Sequence, residues 1–86
     1  MPTISRFFGI RILMRLDDHN PPHFHADYGG QIAVFDIRTL GMTEGNLPGR
    51  IHGLIIEWAS YHREELMAAW EAAKAGKVPN QIEPLS

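Results

Sequence analysis

Cysteine is absent from this 86-residue chain. That excludes disulfide scaffolds, thiolate zinc sites and cysteine nucleophiles. Long hydrophobic runs are absent too: none approaches the ~20 residues that a membrane-spanning helix requires. The opening Met1-Pro2-Thr3-Ile4-Ser5-Arg6 has no basic segment followed by an apolar one, so no signal peptide is expected. The expectation is a cytoplasmic protein without a membrane partner. A strong excess of charge is missing as well: the net charge is −2 and the pI about 6.2. This argues against a strongly basic nucleic-acid binder, but not against a local basic patch. The glycines match no phosphate-binding loop, and the serines have no nucleophile-elbow context. What is present is globular: 44% hydrophobic and 21% charged residues. The length suits one domain. A domain this small buries only roughly 60–65% of its unfolded surface, so a protein partner or a homodimer contact would supplement a thin core.

The chain changes character near residue 46. Ahead of it the period is two. Ile10, Ile12, Met14 and Leu16 alternate with Arg11, Leu13 and Arg15, the pattern of a half-buried strand. Asp17 to Pro22 interrupts it with turn formers. Further strands are expected at 23–28 and at Gln31 to Ile37, and a short leading one at Thr3 to Phe8, with Gly9 as a bend. Behind residue 46 the spacing is helical. Ile51, Leu54, Ile55, Trp58, Tyr61, His62, Leu66, Ala69, Trp70 and Ala73 recur at steps of three and four. Pro48 suits a first helical turn and Gly76 a position just past the end. This predicts one helix over about 48–75, or two with a break near Ser60, and then a short tail over 78–86. The fold class is therefore α+β: an antiparallel meander of three or four strands, packed on one face by a C-terminal helix or helix pair.

Gly29-Gly30 between two alternating runs predicts a two-residue hairpin turn. Tyr28 then pairs with Gln31, Asp27 with Ile32, His25 with Val34 and His23 with Asp36. One face of the hairpin carries Phe24, Ala26, Tyr28, Ala33, Phe35 and Ile37, and the helices are expected to cover it. The other mixes His23, His25, Asp27 and Asp36 with Ile32 and Val34. A mixed face of this kind is where a site is expected.

Three of the five histidines fall in Asp17-Asp18-His19-Asn20-Pro21-Pro22-His23-Phe24-His25. On a strand, His-x-His points both imidazoles to one side, about 6–7 Å apart. Such a pair can ligate a metal or face a phosphate. Three readings stay open. His23 and His25 are candidate acid–base catalysts, with Asp36 across the hairpin to orient an imidazole. His19, His23, His25, Asp17 and Asp18 are candidate ligands for a divalent transition metal; no other cofactor is expected. Or the histidines simply tie down the 17–22 loop. Arg6, Arg11 and Arg15 are candidate phosphate contacts, alternatively a solvated face ion-paired with Asp17 or Asp18. Whether they join the histidines depends on the register across residues 17–22. On the helix, Glu57 and His62 lie five apart, which is not a zincin spacing. Trp58 and Trp70 read as core residues and His62 as a satisfied, half-buried histidine.

Four segments together resemble the bacterial family called domain of unknown function 4160. They are Pro2 to Ile10, Asp17 through Ala26 with Tyr28-Gly29-Gly30, the helix entry Leu47-Pro48, and Glu57-Trp58-Ala59 with His62, Glu65-Leu66 and Trp70. Members of that family are often encoded beside another short protein, commonly of domain of unknown function 2442, in arrangements that look like toxin–antitoxin pairs. The resemblance implies an interaction component of such a pair, binding the small protein of a neighbouring gene and in some cases RNA or DNA. It brings no set of catalytic residues. The alternatives are a ribonuclease-like enzyme, using His23 and His25 with arginine support, and a metal-binding domain built on the His-x-His strand.

Overall fold

Two tight turns set the sheet. The computed structural model describes all 86 residues. Strands β1 (Thr3–Phe7) and β2 (Ile10–Leu13) are joined through Phe8 and Gly9. Strands β3 (His23–Tyr28) and β4 (Gln31–Asp36) are joined through Gly29 and Gly30. All four turn residues have positive φ, the conformation whose twist matches a two-residue hairpin. A fifth strand, β5 (Met42–Gly45), extends the sheet, and helices α1 (Gly49–Tyr61) and α2 (Arg63–Lys74) follow. The order is β1-β2-β3-β4-β5, antiparallel throughout.

The β3–β4 register is the expected one: Tyr28 opposite Gln31, His25 opposite Val34, His23 opposite Asp36. The alternation decides which face is covered. Phe24, Ala26, Ala33 and Phe35 are fully buried and share one core cluster with Ile51, Ile55 and Trp58 of α1 and Leu66, Ala69 and Trp70 of α2. Phe24 stacks on Phe35 at 5.3 Å between ring centroids, and Trp58 meets Phe24 edge-on at 6.0 Å. The tail is packed as well: Ile82 N–H donates to Ile4 O (2.8 Å) and the Trp58 indole N–H to Glu83 O (2.8 Å).

Three features differ from the sequence expectations. The sheet has five strands rather than three or four. Strand β5 is exposed over three of its four residues, so it lacks the apolar alternation that announces a strand. Its end demands glycine: a Cβ on Gly45 would lie 2.1 Å from Ile32 O. Strand β2 ends at Leu13 instead of Leu16, because the chain leaves the sheet to meet α2, where Asp17 N–H donates to Ala73 O (2.9 Å). The helical region is two helices, broken at His62 (φ −128°, ψ 26°), two residues past the expected point.

Candidate metal centre

The helices leave the other sheet face open, and strand registry lays it out in rows. Arg6, Arg11, Asp27 and Ile32 form one row. Leu13, His25, Val34 and Glu44 form the next, and His23 and Asp36 the third. The loop before β3 closes over this third row. It is held by α2: Lys74 Nζ donates to Asp18 O (2.8 Å), and Trp70 lies 5.0 Å from His23 between ring centroids. The Asn20–Pro21 peptide in this loop is cis.

Asp18 is thereby buried at 7% exposure. Its Oδ1 accepts from His19 N–H (2.9 Å) and lies 3.0 Å from His19 Nδ1; its Oδ2 lies 2.9 Å from His23 Nε2. The other ring nitrogen of His23 is 2.7 Å from the Pro21 carbonyl. A carbonyl and an ionised carboxylate both only accept, so Nδ1–H donates to Pro21 O and Nε2–H to Asp18 Oδ2. His25, on the same face, has its ring centroid 5.5 Å from that of His23. One ligand atom each from Asp18, His23 and His25 lies within 4.8 Å of the other two. The His25 Nδ1 is buried and has no hydrogen-bond partner.

Environment separates these groups. Burial works to raise the Asp18 pKa, but the hydrogen bonds from His19 N–H and His23 outweigh it and hold the carboxyl below its usual range. The His25 pKa is lowered, by burial first and then by the neighbouring His23 and Arg15 charges. A neutral imidazole near pH 7 follows.

The cleft in front of these residues has a volume of about 280 Å³, and Arg15, Asp36, Thr43 and Glu44 complete its wall. Arg15 is exposed and forms no ion pair. The remaining sequence candidates are placed differently. Asp36 stands opposite His23, but its Oδ1 accepts from Arg38 N–H (2.7 Å) and Thr39 N–H (3.0 Å). Asp18, not Asp36, meets the imidazole. His19 projects to solvent, its side chain 90% exposed, and Asp17 is exposed outside the cleft. The three arginines are split. Arg11 bonds Asp27 across the strands, and Arg6 lies opposite Arg11, at the end of the sheet away from the histidines. Only Arg15 reaches them. Neither Asp17 nor Asp18 pairs with an arginine. Glu44 had no signal in the sequence, because β5 had none. On the helices, His62 Nδ1 meets Glu65 Oε1 at 2.6 Å, and both tryptophans are core residues.

The class is thus an α+β domain whose open sheet face carries an Asp–His–His cleft. Residues 9–71 match the family described as domain of unknown function (DUF4160), and the chain belongs to that family. No curated protein and no solved structure matches it.

Proposed function

We propose that this protein is a divalent-transition-metal-binding domain, with Asp18, His23 and His25 as its ligands. The observation that carries this reading is the His23 ring: its Nδ1–H is spent on the Pro21 carbonyl, which leaves Nε2, hydrogen-bonded to Asp18 Oδ2 at 2.9 Å, as the nitrogen that exchanges its hydrogen for a metal. A histidine that donates one nitrogen to a backbone carbonyl and aims the other at a second donor is arranged as metal-ligating histidines are. Zinc bonds of ~2.0–2.2 Å in tetrahedral geometry put neighbouring donors about 3.4 Å apart, so the pair has to open by only about half an ångström. Two nitrogens and one oxygen suit zinc, cobalt or nickel better than calcium or magnesium, which take oxygen.

Charge favours a cation over the ribonuclease-like alternative. Asp18, Asp36 and Glu44 face a single arginine in the cleft, an excess of two carboxylates. A metal-free cleft of that sign repels RNA phosphates, and Arg6 and Arg11 lie too far along the sheet to offset it. Isothermal calorimetry with zinc on chelator-treated protein tests the reading. Saturation at one ion per chain is expected, with His25→Ala weakening it at least tenfold; no binding heat would refute it.

A second reading, the interaction component of a toxin–antitoxin-like pair, draws on a different observation. Ile32 of β4 is 44% exposed on the open face, and β5 ends the sheet with an unpaired outer edge; exposed edges invite a partner chain. Co-elution with the product of the neighbouring gene in size-exclusion chromatography supports this reading. Separate elution at micromolar concentration defeats it.

A further inference from the structure

We infer that the metal-loaded cleft binds a phosphoryl group, of free phosphate or of a small phosphate monoester, between the ion and the Arg15 guanidinium. This rests on the metal-centre reading and names the ligand that the centre takes.

The argument starts from what the three ligands leave open. Asp18 and the two histidines come from one short stretch, residues 18–25, and approach from the sheet and its covering loop. The cleft lies in front of them, so the remaining coordination positions face into it. An ion with three protein ligands keeps at least one position for an exogenous group. The cleft wall offers one unpaired cation, Arg15, which lines it together with the three ligands. Of the wall carboxylates only Glu44, exposed on β5, has no partner. Asp18 is consumed as a ligand, and one Asp36 oxygen is occupied by two backbone N–H groups. A divalent ion offsets the two carboxylates that Arg15 leaves unbalanced and concentrates positive charge between itself and Arg15.

Oxygen count selects the ligand. An ion takes one oxygen, and an arginine fork takes two in its bidentate contact. Free phosphate and phosphate monoesters have three or more terminal oxygens and satisfy both partners at once. A carboxylate, or the phosphodiester of a nucleic acid, has only two and must forgo one contact. The size agrees: about 280 Å³ is the room of roughly nine waters at about 30 Å³ each, enough for a phosphoryl group and a small substituent.

The same charge arithmetic makes the binding conditional. Without metal the cleft repels a dianion, so phosphate affinity exists only in the loaded protein. The test uses cobalt as the ion, because its visible absorption reports a change of ligand. Inorganic phosphate and phenyl phosphate are titrated into cobalt-loaded protein, with acetate and diphenyl phosphate as comparisons. The expected result is a saturable spectral change with the first two and a response at least tenfold weaker with the others. Arg15 is exposed and is not one of the three ligands, so Arg15→Gln leaves the fold intact and still loads with cobalt. It lowers phosphate affinity about tenfold or more, the cost of a charged hydrogen-bond pair. Equal phosphate binding by Arg15→Gln, by metal-free protein, or equal binding of acetate overturns the inference. Cobalt binding without any phosphate response also overturns it and leaves the metal centre standing. Failure to bind cobalt at all removes both.

Discussion

Strand β3 carries His25 and Asp27 two residues apart on one face, yet the two ends of that face are built on different terms. At the Asp27 end the partners are set by strand registry. Arg11 stands directly across from Asp27 and bonds it, and the second carboxylate oxygen accepts from Gly30 N–H (3.0 Å). Both Asp27 carboxylate oxygens are thereby occupied, while Arg6, in the same row, is exposed to solvent. At the His25 end, Asp18 arrives from a loop, Arg15 from beyond the end of β2 and Glu44 from an edge strand. There a buried histidine nitrogen has no partner, an arginine has no carboxylate, and two imidazoles crowd one acid. The closed end contributes stability. The open end holds unsatisfied groups that a ligand can complete, which is what a binding site requires.

The contrast can be broken from either side. The largest effect is expected at the open end. Zinc at about 100 times its dissociation constant should stabilise the fold by about 2.7 kcal/mol, a rise in melting temperature on the order of 10–20 °C for a domain of this size. Scanning calorimetry should show that rise lost in Asp18→Asn and kept in Asp27→Asn. Equal losses in both would erase the distinction between the two ends.

A smaller effect belongs to the closed end. Arg11 is nearly half exposed (43%) while Asp27 is not (12%), so solvent screens the pair. A double-mutant cycle of Arg11→Ala and Asp27→Asn in urea should give a coupling of about 0.5–1 kcal/mol. A value near zero would reduce this pair to a surface contact.

The smallest effect is in pH. The Arg11 hydrogen bond, with the Gly30 N–H, holds the Asp27 carboxyl below its ordinary 3.8. A depressed acid stabilises the fold fully above its unfolded pKa and loses that contribution as the pH falls through the folded one. The stability difference between wild type and Asp27→Asn should therefore be constant from neutral pH to about pH 5 and shrink below pH 4. A difference that grows on acidification would reverse the assignment.

Much of this was legible in advance, and the reason is local. Gly29-Gly30 admits the positive φ that a two-residue turn requires, and strict alternation on both sides then settles every pairing from His23–Asp36 to Tyr28–Gln31. The helix stripe and the buried tryptophans follow from a period of 3.6 in the same way. Strand β5 was not legible, because Met42-Thr43-Glu44-Gly45 is mostly exposed and carries no period. The choice of Asp18 over Asp36 as the partner of His23 was not legible either. Asp36 is the nearer residue by registry, but its carboxylate is captured by the backbone of the turn that follows it. The arginines could not be sorted, since their fate depended on where β2 ends.

The amino-acid sequence by itself determined the class of fold, the β3–β4 register, and the presence of two histidines on one open face. Those follow from turn chemistry and periodicity, which act between neighbours in the chain. Only the tertiary structure decided which acid joins the histidines, which arginine stands near them, and that Glu44 walls the same cleft. Asp18 and Arg15 lie close to the histidines in the chain, but their placement depends on distant segments: α2 holds the 17–22 loop through Ala73 O and Lys74, and β5 brings Glu44 by adding to the edge of the sheet.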